Sequence, residues 1–532
     1  MRALLADPGF TPSVRDLDAL VEMLADEETA KPAERALARI GFAALAAVRK
    51  RLESAGKPVR ARLVRVVGRM AQEERDEARA AECVSTLVAA IDDADPKARR
   101  NAAIALGHVP PAEQARASAA LHKAWLSDPR PEMRRSIAAS LGKVGTAESL
   151  DLLRQQTSSD DAEMARIAHR AAIMVARTAS RKGRGAIDGT RAPAAPLRIA
   201  MVTRWGLEEL TAGELSRIAA VSDVREAGRG RVEARLTGRL DSLFAARTAL
   251  GFQFPLAPEP IRLDETPAES VARAAAGPEA RAILGAFTDG AVRYRIAWAD
   301  GGHRRAATWD TASAIAARAP DFVNDPTASL WEFSAGVREG AVHVALVPRA
   351  LPDPRFAWRQ RDVPAASHPT LAAALARVAS TRSDDVVWDP FVGSGGELVE
   401  RARLGPYRAL LGSDIDARAI EAARENLRAA GVEAHLEVAD AWTYAPKDVS
   451  LVITNPPMGR RAARAAGLTA RLDRFVGHAA RALRPGGRFV WIAPWPAAAR
   501  ESASAAGLSL DWAKTIDMGG FDAELQRWIK GR

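Results

Sequence analysis

The chain lacks most features of a secreted or membrane-bound protein. Its 532 residues include one cysteine, Cys83, so no intrachain disulfide can form and a reducing compartment is favoured. No apolar run approaches the roughly 20 residues that a membrane-spanning helix needs. The first residues, MRALLADPGF, lack the apolar core of a signal peptide. These absences predict a soluble cytoplasmic protein with no membrane partner.

Basic residues outnumber acidic ones. The formal net charge is +10 and the isoelectric point is about 10.1. Clustered arginines favour a polyanionic partner because they release counterions from a phosphate backbone. The same arginine excess accompanies many Ala and Gly residues and can reflect coding composition alone. The charge by itself therefore leaves nucleic-acid binding open.

The chain is long enough for roughly three or four domains, and its first 177 residues repeat a helical pattern. Residues 98–109 (ARRNAAIALGHV) and 133–144 (MRRSIAASLGKV) align residue for residue. Small residues recur with a period of roughly 35, at Gly41, Gly68, Gly107, Gly142 and Ala176. Helix pairs with an Asp-Pro turn before the second helix predict a stacked α-solenoid. The pattern resembles HEAT repeats, which leaves open whether the array binds a protein partner or widens a contact with RNA.

A linker and an α+β region are predicted next. Residues 178–196 combine Gly, Pro, Ser and basic residues without periodicity, as an exposed linker does. Across residues 197–350, strands such as LRIAMVTR alternate with amphipathic helices, which predicts an α+β fold. With GLEEL near its start and NDPTASLWEFSAGVREGAVHVAL near its end, this region resembles the ferredoxin-like and THUMP modules of RNA-modifying enzymes. The resemblance implies an RNA-binding region.

Residues 351–532 carry the signals of a doubly wound α/β domain. The segment DVVWDPFVGSGGELVERA predicts a buried strand, a Gly-rich turn and a helix, which suits a nucleotide-like ligand at the helix N-terminus. Gly393, Gly395 and Gly396 permit close approach of the backbone to such a ligand. A dinucleotide-binding enzyme would share this turn, so the turn alone does not decide the ligand.

Carboxylates follow the next two predicted strands. Asp414 comes about 20 residues after the Gly-rich turn, where an acidic side chain can accept both hydroxyls of a ribose. Asp416 is interpreted as the N-cap of the following helix. Asp440 ends the third predicted strand, where its carboxylate or a neighbouring N–H could meet an adenine edge.

The fourth strand, VSLVITNPPMG, ends abruptly because neither proline can donate to a strand ladder. The exocyclic amine of a nucleobase is a poor nucleophile, since its lone pair is delocalised into the ring. The side-chain oxygen of Asn455 and the carbonyl of Pro456 could accept its two N–H groups and hold its lone pair towards a methyl sulfonium. Proline stiffness would fix these acceptors in advance, which is catalysis by positioning and electrostatics. No metal ion is required.

The four motifs in this order resemble class I S-adenosylmethionine-dependent methyltransferases, and Asn-Pro-Pro marks the subgroup that acts on planar amines. The resemblance implies a Rossmann-like fold and S-adenosyl-L-methionine as cofactor. It implies cofactor contacts by Thr370, Asp389, Pro390, Phe391, Gly393, Ser394, Gly395, Asp414, Ile415, Asp440 and Ala441. It also implies a catalytic turn made of Asn455, Pro456, Pro457 and Met458.

The chain departs from this family at two positions, and it carries arginines near the predicted site. Met458 stands where relatives carry Tyr or Phe, and Gly396 stands where relatives often carry Thr. Basic residues flank the catalytic turn and the segment that resembles a THUMP-to-methyltransferase connection. The predicted RNA contacts are Arg359, Arg460 and Arg461.

Three functions are compatible with these patterns. The leading hypothesis is an RNA methyltransferase that acts on an exocyclic amine, with guanine N2 in tRNA or rRNA as the expected target. A second is methylation of DNA adenine N6 or protein glutamine N5. A third is a HEAT-repeat scaffold whose methyltransferase domain is degenerate. Neither the target nucleotide nor the oligomeric state can be read from the sequence.

Overall fold

The computed structural model describes residues 1–6, 10–181, 185–299, 301, 304–364, 366–458 and 465–531. Internal contacts divide the chain into two units. The first contains Met1–Gly185, Pro260–Ala276 and Gly290–Ser329. The second contains Ala186–Glu259, Gly277–Asp289 and Leu330–Arg532.

Helices dominate the first part of the chain and alternate with strands in the rest. The α-helices of the described residues are α1 (Arg2–Ala6), α2 (Leu17–Glu22), α3 (Glu27–Ile40), α4 (Leu45–Ser54), α5 (Lys57–Glu73), α6 (Glu77–Ala90), α7 (Pro96–Leu106), α8 (Gln114–Ser127), α9 (Pro131–Val144), α10 (Ala147–Gln155), α11 (Ala162–Arg181), α12 (Glu208–Leu215), α13 (Pro267–Ala275), α14 (Pro278–Phe287), α15 (Arg305–Arg318), α16 (Pro369–Val378), α17 (Gly396–Ala402), α18 (Ala417–Ala429), α19 (Ala465–Ala482) and α20 (Pro496–Ala505). Short 3-10 turns occupy Val14–Asp16, Met23–Ala25, Gly41–Ala44, Pro111–Glu113, Gln156–Ser158 and Leu240–Ala245.

Strands begin only after the helical array. They are β1 (Ala186–Ile187), β2 (Leu197–Thr203), β3 (Val221–Glu226), β4 (Arg231–Leu236), β5 (Ala249–Pro255), β6 (Glu259–Pro260), β7 (Thr288–Asp289), β8 (Arg293–Trp298), β9 (Val323–Asn324), β10 (Trp331–Arg338), β11 (Ala341–Val347), β12 (Val386–Asp389), β13 (Ala409–Asp414), β14 (His435–Val438), β15 (Val449–Thr454), β16 (Leu483–Ala493), β17 (Leu508–Asp517) and β18 (Asp522–Lys530).

The second helices of the repeats stack on one another. Helix α5 contacts α7, α7 contacts α9, and α9 contacts α11. Glycines permit this close packing, because a Cβ atom at Gly68 would lie 2.7 Å from Ala105 Cβ, and one at Gly107 would lie 2.7 Å from Ser140 Oγ. A larger side chain would not fit at either position. The predicted α-solenoid is confirmed.

Ion pairs connect each repeat to the next. In each pair an arginine near the start of one second helix reaches an aspartate in the turn before the following second helix. The pairs are Arg60–Asp93 (2.8 Å), Arg99–Asp128 (3.3 Å) and Arg135–Asp161 (2.8 Å). The acidic turns therefore contribute to stacking as well as to helix capping.

The segment predicted as an exposed linker contains regular structure. Helix α11 continues beyond residue 177 to Arg181, and β1 pairs antiparallel with β7. The N–H of Asp188 also donates to the carbonyl of Phe287 over 2.8 Å. Backbone pairing thus fixes part of residues 178–196, which composition alone predicts to be irregular.

The α+β part of the second unit is built around β2. Strands β4 and β5 pair antiparallel with β2 on either side, β3 pairs with β4, and β11 pairs with both β5 and β10. Glu214 at the end of α12 accepts hydrogen bonds from the backbone N–H of Thr248 (2.8 Å) and from Arg377 Nε (3.0 Å) of α16. This buried carboxylate connects the α+β part to the C-terminal domain.

The C-terminal domain contains a seven-stranded sheet in the order β14-β13-β12-β15-β16-β18-β17. Strands β12 to β16 pair in parallel, whereas β17 and β18 are antiparallel to their neighbours. Every residue of β12 and β15 is buried, as expected for central parallel strands covered on both faces. The predicted doubly wound α/β fold is confirmed.

A buried ionic cluster lies at the amino end of β12. Asp385 accepts hydrogen bonds from Arg401 Nη2 (3.0 Å), Arg488 Nη2, Ser450 Oγ (2.9 Å) and the backbone N–H of Arg382 (2.8 Å). Asp385 and Arg401 are fully buried. The aspartate thus has two cationic partners and two neutral donors in the interior of the domain.

Candidate active site

The carboxyl ends of β12, β13 and β15 border a cleft with a volume of about 510 Å³. In an open parallel sheet, ligands bind at this edge where the strand order reverses. The lining combines the Gly-rich turn with carboxylates, aromatic rings and apolar side chains. It consists of Val363, Pro364, Ala366, Ser367, Phe391, Val392, Gly393, Ser394, Glu397, Asp414, Ile415, Asp416, Arg418, Ala419, Trp442, Asn455, Pro457 and Arg471.

The turn after β12 folds tightly before α17 begins. Gly395 is the N-cap of α17 with a φ of +84°, and its N–H donates to the carbonyl of Val392 over 2.7 Å. A Cβ atom at Gly395 would also lie 3.4 Å from Ala423. The left-handed backbone favours glycine here, whereas 3.4 Å is an ordinary van der Waals distance. The turn therefore presents backbone rather than side chains to the cleft.

Asp414 stands at the end of β13 and lines the cleft. Its Oδ2 accepts from the N–H of Gly393 (3.1 Å) and its Oδ1 accepts from the N–H of Asp416 (3.0 Å). These bonds fix the carboxylate and leave further lone pairs for a ligand. The next residue, Ile415, is 68% exposed and provides an apolar surface beside the carboxylate. Asp416 caps α18 by accepting from the N–H of Arg418 over 2.9 Å, as predicted.

Asp389 lies beneath the cleft at the end of β12. Its side chain is fully buried, and its Oδ1 accepts from Thr454 Oγ1 (2.7 Å) and from the N–H of Phe391 (3.1 Å). Its Oδ2 has no hydrogen-bond partner among the described residues. Burial raises the pKa of Asp389 well above the usual range of an aspartate, and the nearby Glu397 carboxylate raises it further.

Asn455 is the first residue after β15, and it brings an amide to the cleft. Its Nδ2 donates to Ser367 Oγ over 2.9 Å. Its Oδ1 is buried and has no hydrogen-bond partner within the described part of the chain. One end of the amide is therefore held by the protein, and the other is an unused acceptor at the cleft.

Ser367 and Glu397 continue this contact below the amide. The hydroxyl of Ser367 donates to Glu397 Oε1. Glu397 is the second residue of α17 and is 3% exposed. Burial raises the pKa of Glu397, although the Ser367 hydrogen bond opposes that change. Glu397, Ser367 and Asn455 thus form a continuous series of hydrogen bonds at the cleft.

The remaining residues of the predicted catalytic turn differ in exposure. Pro456 is buried, whereas Pro457 is exposed and lines the cleft. Met458 is half-buried and packs against the apolar core of the domain rather than lining the cleft. Asn455 and Pro457 are therefore the residues of this turn that the structure brings to the cleft.

Several predicted cofactor contacts lie outside the cleft lining. The Thr370 hydroxyl is 2.8 Å from His368 Nδ1, and His368 caps α16 by accepting from the N–H of Thr370. Asp440 accepts from the N–H of Trp442 over 3.0 Å. Ala441 packs in the apolar core, and Pro390 is buried. Of the other predicted contacts, Phe391, Gly393, Ser394, Asp414 and Ile415 line the cleft, whereas Asp389 and Gly395 do not.

The three arginines predicted to contact RNA differ in what the structure shows. Arg359 is 14% exposed, and its guanidinium donates to the carbonyl of Ser367 (2.7 Å) and to Asp362 Oδ1. Its charge is therefore used inside the domain. Arg460 and Arg461 lie outside the described residues.

The sequence did not predict Ser367, Glu397, Trp442 or Arg471 as residues of the cleft. Ser367 and Glu397 have no motif of their own and acquire a role only through contact with Asn455. Trp442 follows predicted Asp440 by two residues, and Arg471 lies over its ring at 4.2 Å, with Trp442 Nε1 donating to the Arg471 carbonyl. An aromatic residue just after the third strand was the one available signal.

The carboxylates and apolar side chains of the cleft fit a nucleoside that carries positive charge. The Asp414 carboxylate suits ribose hydroxyls, and the adjacent Ile415 side chain suits a flat base. The Glu397 carboxylate lines the cleft and would meet a cation, whereas Asp389 Oδ2, which has no partner among the described residues, is buried outside the lining. Arg418 is paired with Asp416 and Arg471 is stacked on Trp442, so both nearby cations are already engaged.

Comparison with known families agrees with this geometry. Residues 357–520 match the family described as an RMKL-like methyltransferase domain, and residues 84–174 match HEAT repeats. Residues 357–520 are thus similar to methyltransferase domains, and residues 84–174 of the N-terminal array are similar to HEAT repeats, as the sequence pattern indicated.

Curated relatives of the methyltransferase domain act on guanine N2. A tRNA (guanine(6)-N2)-methyltransferase of Thermus thermophilus is 35% identical over 157 residues, which cover 29% of this chain and 46% of that protein. A tRNA (guanine(10)-N2)-dimethyltransferase of Methanothermobacter thermautotrophicus is 33% identical over 135 residues, covering 25% and 39% respectively. The chain therefore spans less than half the length of these two relatives.

A solved structure extends the likeness beyond the methyltransferase domain. TrmN from Thermus thermophilus superimposes with a TM-score of 0.52 and 25% sequence identity, and the match covers 63% of this chain and 99% of TrmN. The methyltransferase domain cannot account for 63% of the chain by itself. The fold likeness therefore includes residues outside the range of the methyltransferase family match.

Among the described residues, no helix combines the length and the apolar character that crossing a bilayer requires. Within the same part of the chain, no group of three or more His, Cys, Asp or Glu side chains is arranged to hold a metal ion.

Proposed function

We propose that this protein methylates an exocyclic amine of an RNA base, with guanine N2 in tRNA or rRNA as the target. The observation that carries the proposal is the amide of Asn455. Its oxygen lies at the cleft without a partner among the described residues, while its nitrogen is held by Ser367. A fixed acceptor of this kind selects a ligand that donates an N–H.

The Asn455 oxygen would act on the nucleophile. An acceptor for an amine N–H favours a geometry in which the nitrogen lone pair points out of the ring plane. The proline pair after Asn455 limits movement of the turn, so the acceptor is in place before the substrate binds. The positioned acceptor stabilises the charge that develops on nitrogen. The proton that the methylated amine then loses would pass to solvent, so the step needs no His or Cys.

The carboxylates would act on the cofactor. S-adenosyl-L-methionine, when bound, supplies an electrophilic methyl group attached to a sulfonium. Asp414 would hold the ribose hydroxyls, with Ile415 against the adenine. Asp389 and Glu397 would stabilise positive charge, because burial makes an isolated carboxylate unfavourable and a cationic ligand would offset it.

RNA is favoured over the other substrates by the relatives and by the α+β region. Both curated relatives described above are tRNA guanine-N2 methyltransferases by name. Residues 197–350 resemble the THUMP modules of RNA-modifying enzymes in sequence. The HEAT repeats would add a surface for a protein partner. Comparing RNA methylation by the protein with and without residues 1–177 in cell extract tests this contribution.

The main test measures transfer of a labelled methyl group from S-adenosyl-L-methionine into total RNA from cells that lack this protein, followed by nucleoside analysis. We expect label in N2-methylguanosine. Asn455→Ala should reduce incorporation by about 100- to 1,000-fold, as loss of a preorganised donor or acceptor does, while cofactor affinity changes little. Asn101→Ala in the HEAT array is a matched control and should retain full incorporation.

The same assay separates the alternatives. Label in duplex DNA or in a protein glutamine, with none in RNA, would replace the proposal with a different amine substrate. Failure of the wild-type protein to bind S-adenosyl-L-methionine in calorimetry would favour a scaffold with a degenerate domain. Equal incorporation by wild type and Asn455→Ala would refute the role of the amide.

A further inference from the structure

We infer that Glu397 and Ser367 are positioning residues that determine which end of the Asn455 amide faces the cleft. The inference rests on the proposed function, because it concerns how the Asn455 oxygen becomes available to an amine. It adds two residues that no sequence motif identifies, and it assigns each a direction of hydrogen bonding.

The direction follows from the number of hydrogens available. A serine hydroxyl has one hydrogen and two lone pairs, and an ionised carboxylate only accepts. With Glu397 ionised, the Ser367 hydrogen is committed to Glu397 Oε1, so Ser367 Oγ can only accept from Asn455. The amide must then present its NH2 group to Ser367.

The opposite orientation of the amide would be unfavourable. If the Asn455 side chain turned over, its oxygen would face the lone pairs of Ser367 Oγ with no hydrogen between them. The NH2 group would then occupy the cleft and repel an incoming amine N–H. Glu397 thereby favours the orientation in which the Asn455 oxygen, rather than its NH2 group, faces the cleft. It acts through Ser367 and does not itself bond to the amide.

The segment that carries Ser367 is itself held in place. Arg359 Nη1 donates to the Ser367 carbonyl over 2.7 Å, and the same guanidinium contacts Asp362. On the other side, Glu397 is fixed by its position in the first turn of α17 and is 3% exposed. Ser367 and Glu397 are therefore each held in place by other parts of the domain, as a positioning device requires.

The first test reads the amide directly and does not depend on activity. The chain has four asparagines, at positions 101, 324, 426 and 455, so protein labelled with ¹⁵N-asparagine gives four side-chain NH2 signals. The signal lost in Asn455→Ala identifies Asn455. We expect Ser367→Ala to shift that signal and leave the other three in place, and Ser367→Thr to restore it. An unmoved Asn455 signal in Ser367→Ala would overturn the inference.

The second test measures kinetics with total RNA from cells that lack this protein. Loss of one positioning hydrogen bond should lower kcat of Ser367→Ala by about 10-fold, with a smaller change in the dissociation constant of S-adenosyl-L-methionine. Ser367→Thr should recover most of kcat. Glu397→Gln should also lower kcat, because a glutamine NH2 can donate to Ser367 Oγ and release the hydroxyl hydrogen towards Asn455.

The two tests distinguish the inference from the proposed function. A shifted Asn455 signal in a protein that methylates no RNA would support the hydrogen-bond chain and refute the substrate. A shifted signal together with an unchanged kcat of Ser367→Ala would refute the positioning role while leaving RNA methylation intact. A fall in kcat that Ser367→Thr does not recover would also refute it, since packing alone would then explain the effect.

Discussion

The two ends of strand β12 hold aspartates in opposite environments. Asp385, just before the strand, is fully buried and contacts two arginines, a serine hydroxyl and a backbone N–H. Asp389, the last residue of the strand, is equally buried but accepts only from neutral groups, and one of its oxygens has no partner in the described residues. Four positions separate the two.

This difference shows how one strand serves both stability and binding. Burial favours protonation of Asp385, but the Arg382 N–H, the Arg488 charge and the remaining donors outweigh it and lower the pKa of this carboxyl. For Asp389, burial acts without a cation to oppose it, and the pKa rises. A buried carboxylate without a cationic partner is costly for the fold, so the site end of the strand favours a positively charged ligand.

The largest expected effect is at the amino end. Asp385→Asn should lower the free energy of unfolding by about 3–5 kcal/mol, because it leaves Arg401 and Arg488 buried without a charge partner. Urea denaturation measures the change. Asp384→Asn is the matched control, since the neighbouring Asp384 is 61% exposed in its pair with Arg484 and its replacement should change stability little. Equal effects of the two variants would contradict the role of the cluster.

The corresponding change at the carboxyl end should affect binding instead. Asp389→Asn keeps an oxygen acceptor for Thr454 and Phe391 but removes the buried charge. We expect affinity for S-adenosyl-L-methionine to fall by about 10- to 100-fold, as for loss of a charge-assisted hydrogen bond. The free energy of unfolding should stay equal or rise. Calorimetry and urea denaturation measure both quantities, and a large loss of stability with normal affinity would reverse the assignment.

The smallest effect is the pH dependence of stability, which should have opposite signs at the two ends. The pKa of Asp385 is lowered, so its contribution is present above an unfolded-state pKa of about 3.9 and is lost as the pH falls through the folded-state pKa. The pKa of Asp389 is raised, so its contribution is present below about 3.9 and is lost as the pH rises through the folded-state pKa.

Denaturation over a pH series would measure this contrast. As the pH rises from the unfolded-state pKa of about 3.9 towards neutrality, wild type should lose stability relative to Asp389→Asn. Towards more acidic pH, wild type should lose stability relative to Asp385→Asn. Two parallel profiles would show that the two carboxylates do not differ in environment.

The sequence predicts the parts of the site that lie on strand ends. Asp389, Asp414 and Asn455 each follow an apolar run, and carboxyl ends of parallel strands meet at one edge of a sheet. The HEAT array was predictable for a related reason, because stacking imposes a fixed spacing on small residues. Local pattern and tertiary position coincide in both regions.

The rest depended on contacts between distant segments. Ser367 and Glu397 are 88 and 58 positions from Asn455 in sequence, and a lone serine and glutamate carry no periodic signal. Thr370 was expected at the cofactor, yet its hydroxyl contacts His368. The linker prediction could not anticipate β1, since its two residues form a strand only by pairing with β7.

The ion pairs between repeats have a consequence for how the N-terminal array can change in evolution. Each of Arg60, Arg99 and Arg135 takes its acidic partner from the next repeat, at equivalent places. Duplicating or deleting one complete repeat would leave each internal arginine opposite an aspartate of the repeat that follows it. A deletion that ends inside a repeat would leave one arginine without its partner. The array can therefore gain or lose whole repeats without losing these ion pairs, whereas insertions or deletions within a repeat would break one.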